Sequence, residues 1–83
     1  MRFIRTERFK KSYQRLSGPD QDRVDEALRL FGDNPYHPSL ATKKLPPKTS
    51  GIWYFRASRA IRVTFEWDGA DVLLRNVGSH AIL

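Results

Sequence analysis

The feature that most constrains the fold is the stretch of residues 51–80, in which apolar and polar side chains alternate. A period of two is typical of β-strands that bury one face. Turn-forming residues interrupt the pattern at 58–60 and at 68–69, and glycine at 69 accepts the positive φ that a two-residue hairpin loop requires. The stretch therefore predicts three antiparallel strands joined by two hairpins. Its predicted buried face carries Trp53, Phe55, Ala57, Ile61, Val63, Phe65, Trp67, Val72, Leu74 and Asn76.

The same two turns predict the register of the strands. With 58–60 as the first loop, Arg56 faces Arg62, and with 68–69 as the second loop, Arg62 faces Arg75. Like charges directly opposite each other are destabilising, so a row of three arginines predicts a site for an anion. The alternative is that the guanidinium groups extend into solvent or meet the carboxylates of Glu66 or Asp71.

The N-terminal half predicts a short strand over residues 2–5 followed by two helices. Thr6 suits the N-cap of the first helix, Pro19 the first turn of the second, and Gly32 its end. A connector rich in proline follows at 33–50, and its residues 43–45 predict a further short strand. The apolar helix faces need a partner, so the chain predicts an α+β fold with both helices packed on one face of the sheet. These faces carry Phe9, Tyr13 and Leu16 in the first helix and Val24, Ala27, Leu28 and Phe31 in the second.

Length and composition narrow the class of protein. The 83 residues predict a single domain, 1–83, around one core. The formal net charge of +6 predicts an anionic partner, and nucleic acid is the usual one because phosphate neutralisation releases counterions. An acidic protein or an anionic membrane surface would match the same charge. The absence of cysteine excludes disulfides and fits a reducing cytoplasm, and no apolar run is long enough to span a membrane.

Few of the residue patterns that support catalysis are present. The two histidines, His37 and His80, lack the spacing and the carboxylate partners of a metal site, and the glycines form no phosphate-binding loop. We therefore predict neither a metal nor a cofactor. Arginine, lysine and His80 suit the cleavage of RNA, whose own 2′-hydroxyl supplies the nucleophile. Histidine transfers protons near neutral pH, arginine binds phosphate through two parallel hydrogen bonds, and Tyr54 would stack on an unpaired base.

The chain contains five short segments in a distinctive order, namely Asn34-Pro35, Lys44-Leu45, Ser50-Gly51-Ile52-Trp53, Ala60-Ile61-Arg62-Val63-Thr64-Phe65 and Val77-Gly78-Ser79-His80. Their order and spacing resemble the RelE/ParE toxin superfamily of bacterial and archaeal toxin–antitoxin systems, over nearly the whole chain. The Gly-Ser-His ending is most similar to the YafQ-type branch and related RelE-like ribonucleases. The resemblance implies a RelE-like β-α-α-β-β-β domain with a small, twisted, mainly antiparallel sheet.

The resemblance also implies a function. Most such toxins are cytoplasmic and cleave mRNA in the A site of the translating 70S ribosome, without a metal or cofactor, by 2′-hydroxyl attack that leaves a 2′,3′-cyclic phosphate. A cognate antitoxin wraps the toxin and covers its basic site. Position by position, Arg62 matches the arginine that contacts the scissile phosphate, and His80 matches the C-terminal general acid or base. Arg56 matches a basic position on the preceding strand.

Other cations extend the predicted site. Two lysines, at 43 and 44, fall where some relatives carry a catalytic carboxylate, so the resemblance implies no general base there. We expect the substrate to contact six residues besides the catalytic ones. They are Lys43, Lys44, Lys48, Tyr54, Arg59 and Arg75.

Three functions remain open on the sequence. The first is an endoribonuclease, the second is a ParE-like toxin that inhibits DNA gyrase without cleaving nucleic acid, and the third is a silenced toxin that acts as a binding module. His80 favours the first. Many ribonuclease members carry an aromatic residue shortly after this histidine, whereas here Ala81-Ile82-Leu83 follows. On the predicted register Leu73 and Val77 lie on the arginine face, where we expect them to contact the antitoxin.

Overall fold

The computed structural model describes all 83 residues and contains two α-helices and a five-stranded sheet. The elements are β1 (Phe3–Arg5), α1 (Glu7–Gln14), α2 (Gly18–Asp33), β2 (Lys43–Lys44), β3 (Trp53–Arg56), β4 (Ile61–Asp68) and β5 (Asp71–Ser79). The strands lie in the order β1-β5-β4-β3-β2, with β1 parallel to β5 and all other neighbours antiparallel. The predicted α+β fold is confirmed, and the strand predicted at 43–45 is the two-residue β2.

The helices begin where the sequence predicts. Thr6 caps α1, its Oγ1 accepting a hydrogen bond of 3.1 Å from the N–H of Phe9. Ser17 caps α2 in the same way, accepting a bond of 3.3 Å from the N–H of Asp20. Side-chain oxygens at this position satisfy amide groups that have no partner within the helix. No helix of the structure is both long and apolar enough to cross a membrane.

Phe31 of α2 lies at the centre of the hydrophobic core and is fully buried. Its ring centroid lies 5.0 Å from that of Phe55, 5.1 Å from that of Phe65 and 5.6 Å from that of Trp67. All three partners belong to the strand face that alternation predicts to be buried. The helices therefore cover this face, and the alternating residues Tyr54, Arg56 and Arg62 lie on the opposite one.

The second hairpin differs from the predicted register. Its loop consists of residues 69–70, whereas the sequence predicts 68–69. Further along the strands, Arg62 faces Gly78. The predicted row of three arginines is therefore wrong at Arg75, while the pairing of Arg56 with Arg62 is confirmed.

A β-bulge at Arg75 completes this shift. Between the loop and the bulge the strands pair in the register set by the loop, so that Phe65 faces Leu74. Beyond the bulge the register is shifted by one residue, and Thr64 faces Asn76. A bulge adds one residue to one strand and so inverts the alternation beyond it. Val77 consequently points into the core and is 2% exposed, so the prediction that it lies on the arginine face is wrong. Asn76 leaves the apolar face for the same reason.

Candidate functional site

A cleft of about 170 Å³ opens on the face of the sheet opposite the helices. Residues from three neighbouring strands line it, and the short 3₁₀ helix His80–Ile82, which we call the C-terminal turn, adds a residue from the end of β5. We call it the cationic cleft. It is lined by Ala41, Lys43, Tyr54, Arg56, Arg62 and His80. The structure thus brings together the three predicted catalytic residues and two of the predicted substrate-binding residues.

The strand register determines how these side chains meet. Arg56 on β3 lies directly opposite Arg62 on β4, and Tyr54 lies between Lys43 on β2 and Thr64 on β4. Residues directly opposite one another share a face and have close Cβ atoms. The four predicted cationic or titratable residues of the cleft therefore converge because their strands are neighbours, although 37 positions separate the first from the last.

The charges of the cationic cleft are not compensated within the protein. The chain forms six ion pairs, and none of them includes Lys43, Arg56, Arg62 or His80. Two arginines directly opposite each other on neighbouring strands, without a carboxylate partner, repel one another and so raise the free energy of the empty site. An anion bound between them would relieve that repulsion, and phosphate suits the bidentate geometry of arginine.

The guanidinium of Arg62 is held in place by backbone carbonyls of the first hairpin loop. Its Nη1 donates hydrogen bonds to the carbonyl oxygens of Ser58 (2.9 Å), Arg59 (3.1 Å) and Ile61 (3.3 Å). One nitrogen makes all three bonds, so Nε and Nη2 remain available to a ligand. A half-buried cation with a fixed head and unused donors is preorganised to stabilise negative charge.

The C-terminal turn places His80 over the cleft. The N–H of Ala81 donates to Ser79 Oγ (3.4 Å), and the N–H of Leu83 donates to the carbonyl of His80 (3.1 Å). The turn lies close against β5, because a Cβ at Gly78 would stand only 2.9 Å from Cγ2 of Ile82. Glycine is therefore needed at 78 for the close approach of a side chain to the backbone.

The remaining predicted substrate-binding residues lie outside the cationic cleft. Arg75 sits at the bulge, where its Nη1 donates a hydrogen bond to Glu66 Oε2. The alternative that an arginine of the predicted row meets the carboxylate of Glu66 therefore applies to Arg75. Lys44 pairs with Trp53 and is exposed at the edge of the sheet. Lys48 is exposed in a short 3₁₀ helix, and Arg59 contributes its carbonyl to Arg62 while its own side chain is exposed.

Sequence reasoning missed a second cleft on the same face, with a volume of about 280 Å³. Four of its nine lining residues are half-buried apolar side chains and the other five are polar or charged, and we call it the apolar cleft after the four. They are Leu45, Ile52, Leu73 and Ile82. The predicted position of Leu73 on the arginine face is confirmed. The cleft depends on the C-terminal turn and on the bulge, and the bulge has no local sequence signal.

No protein-family model and no curated protein matches the sequence. Solved structures do match the fold. The YoeB/ParE toxin from Agrobacterium tumefaciens is 16% identical, with 96% of this chain and 99% of that chain covered and a TM-score of 0.79. YafQ from E. coli strain BL21(DE3) is 13% identical, with 99% and 97% covered and a TM-score of 0.80.

A third structure is the RelB-RelE antitoxin-toxin complex from Methanococcus jannaschii. The match is 15% identical and covers 95% of this chain and 92% of that chain, with a TM-score of 0.76. Alignment over nearly the full length of all three chains establishes a common fold, the fold of the RelE/ParE toxins.

Proposed function

We propose that this chain, which has the fold of the RelE/ParE toxins, is the toxin of a toxin–antitoxin pair and acts as an endoribonuclease on mRNA. The observation that carries the proposal is the meeting of His80 with Arg56, Arg62 and Lys43 in one cleft without a carboxylate. Cations without counter-ions suit a phosphodiester, and a histidine beside them suits proton transfer.

RNA suits the cleft because it brings its own nucleophile. The 2′-oxygen attacks the adjacent phosphorus, the bond from phosphorus to the 5′-oxygen breaks, and the products are a 2′,3′-cyclic phosphate and a 5′-hydroxyl. His80 donates a proton to the leaving 5′-oxygen, which would otherwise depart as an alkoxide. The cleft offers no carboxylate to take the proton of the 2′-hydroxyl, so water accepts it.

The two arginines stabilise the charge that builds up during this reaction. A five-coordinate phosphorane carries more negative charge on its equatorial oxygens than the diester does, so donors fixed around it favour the transition state over the ground state. Arg62 is the better fixed of the two because three carbonyls hold its Nη1. The side chain of Arg56 forms no hydrogen bond or ion pair within the protein and adjusts to the substrate.

Tyr54 and Lys43 position the RNA. Tyr54 is half-buried in the floor of the cleft and offers a ring on which an unpaired base stacks. Lys43, opposite it on the edge strand, neutralises a neighbouring phosphate. A base with accessible faces and a flexible backbone is found in single-stranded RNA, and mRNA in the ribosomal A site meets both conditions. We propose that the reaction takes place in the cytoplasm, on mRNA that is being translated.

An antitoxin completes the proposal. The Methanococcus structure contains an antitoxin with its toxin, which supports a partner of this kind for the same fold. The cationic cleft and the adjoining apolar cleft with Leu73 offer such a partner both charge and apolar area. Covering them would exclude RNA.

Inducible expression in bacteria tests the proposal. We expect the wild type to arrest growth and to create new 5′ ends within coding regions, mapped by primer extension on abundant transcripts. Arg62→Ala should create none, while Arg59→Ala, which removes a cation outside the cleft but leaves the carbonyl that holds Arg62, should behave like the wild type. Growth arrest without new 5′ ends would contradict nuclease activity and direct attention to gyrase.

A further inference from the structure

We infer that α1 carries a second phosphate-binding surface, which holds the backbone of the single-stranded RNA where it leaves the cationic cleft. The inference rests on the proposed function and adds the path of the substrate across the protein. The surface, which we call the α1 cluster, consists of Arg8, Lys11, Arg15 and Asn76. A concavity without a single apolar lining residue connects these four with Ser12.

The cations of the α1 cluster form one stripe. Positions 8, 11 and 15 are spaced by three and four, so they share one face of the helix over about 10 Å of its length. All three are exposed, and none forms an ion pair. Other cations on the helices do form pairs. Lys10 meets Glu7, Arg23 meets Asp20, and Arg29 meets Glu26 and Asp33.

Asn76 adds a neutral donor to the cluster. Its Oδ1 accepts hydrogen bonds from Ser12 Oγ (2.6 Å) and from the N–H of Val77 (2.9 Å). Both acceptor sites of the amide oxygen are thereby used, and the orientation of the side chain is fixed. Its Nδ2 donates no hydrogen bond within the protein, although the group lines the concavity. Asparagine amides of this kind contact phosphate oxygens beside arginine and lysine.

The α1 cluster is continuous with the cationic cleft. Arg8 and Asn76 line both the concavity on α1 and the apolar cleft. The apolar cleft extends to Thr64, which lies directly opposite Tyr54 of the cationic cleft. A strand of RNA that leaves the cationic cleft therefore finds four apolar side chains for its bases and then a stripe of cations for its backbone.

A nucleic acid fits this surface better than an acidic protein does. A protein segment that docks in a specific manner buries apolar anchors, and the concavity on α1 offers none. A phosphate backbone needs only donors and positive charge, which are what the cluster supplies.

The test measures how RNA binding depends on salt. A fluorescein-labelled RNA dodecamer is titrated by fluorescence anisotropy with the His80→Ala variant, which leaves the RNA intact, over a range of potassium chloride concentrations. Each phosphate contact contributes about 0.7 to the slope of log affinity against log salt for a single strand. Adding Arg8→Gln, Lys11→Gln and Arg15→Gln should lower the slope by about 2 and weaken binding most at low salt.

A matched control removes the same net charge elsewhere. Arg2→Gln, Arg23→Gln and Arg29→Gln also remove three positive charges, but from side chains that form ion pairs away from the cluster. The slope should stay unchanged in this control. If both triple variants lowered the slope equally, the effect would come from net charge alone, and the inference would be overturned.

Two further results separate this inference from the proposed function. An unchanged slope in the α1 variant, together with RNA cleavage by the wild type, would overturn the inference but not the proposed function. Weaker binding of an acidic antitoxin by that variant would instead show that the α1 cluster binds a protein, and would also overturn the inference. If even the parent binds no RNA at low salt, the inference fails, and mRNA cleavage by the wild type in cells decides the proposed function separately.

Discussion

Arg56 and Arg62 face each other directly on neighbouring strands, and neither guanidinium forms an ion pair within the chain. This arrangement is unfavourable in the absence of a ligand. Arg62 also has three hydrogen bonds to backbone carbonyls to lose, whereas the side chain of Arg56 has none. Stability and activity should therefore respond in opposite directions when the charge of Arg56 is removed, which is typical of residues retained for function.

The first prediction concerns Arg56→Gln. Removing the charge of Arg56 removes its repulsion with Arg62 and should raise the free energy of unfolding by about 0.2–1 kcal/mol. The side chain of Arg56 has no hydrogen bond or ion pair to lose. RNA cleavage should fall at the same time. Urea denaturation and a cleavage assay measure the two effects. Arg59→Gln is the control, since its side chain lies outside the cleft, and it should change neither. A destabilised Arg56→Gln variant would contradict the account of the facing pair.

The second prediction concerns Gly78→Ala. Its added Cβ would stand 2.9 Å from Ile82 Cγ2, so Ile82 must give way, and we expect the C-terminal turn to shift with it and to move His80 away from the cleft. Activity should fall, and Gly78→Ala combined with Ile82→Ala should restore it by removing the clash. Gly32→Ala has nothing within 4 Å of the new Cβ and should stabilise α2 by roughly 0.5–1 kcal/mol without affecting activity. Failure of the double variant to recover activity would show that the close approach at Gly78 does not position His80.

The third prediction concerns Thr6, which connects α1 to the bulge. Its Oγ1 accepts from the N–H of Phe9 and lies 2.8 Å and 3.2 Å from the carbonyls of Leu74 and Arg75, to which it donates. Thr6→Ala should cost about 0.5–2 kcal/mol of stability in urea denaturation, the usual range for an N-cap. Thr6→Ser keeps the hydroxyl and should lose much less. If the two variants lost equal stability, the effect would come from the methyl group of Thr6, and the role of the hydroxyl would be contradicted.

The fourth prediction concerns pH. Hydrogen bonds from the side chain and then the backbone of Arg2 lower the pKa of the Asp71 carboxyl in the folded protein. Because the folded pKa lies below the unfolded one, the carboxylate contributes stability above the unfolded value of about 3.9, and this is lost as pH falls through the folded pKa. Asp71→Asn should therefore be less stable than the wild type at pH 7, and the difference should vanish in acid. A difference that does not change with pH would contradict this linkage.

Much of the fold follows from local sequence patterns. Alternation places Phe55 and Phe65 in the core, and the turn at 58–60 fixes the opposition of Arg56 to Arg62 because a short loop determines register. Those two arginines could therefore be placed side by side from the sequence.

The second hairpin could not be derived in this way. The bulge at Arg75 is supported by Thr6, 69 positions away, which satisfies the carbonyl of Arg75 in place of a partner on β4. A contact between segments so distant in sequence has no local signal. The bulge separates Arg75 from the arginine pair, turns Val77 into the core and gives Asn76 its place beside α1.

The most direct test of the central claim is the chemistry of the cut RNA ends. The purified protein is added to ribosomes programmed with a defined mRNA, and the ends are examined in single-turnover reactions. We expect the wild type and His37→Ala to leave a 2′,3′-cyclic phosphate at the same rate. His80→Ala should be slower by about 10²–10⁴-fold, the usual contribution of general acid–base catalysis. Cleavage by His80→Ala at the wild-type rate would contradict the assignment of the cationic cleft as the active site.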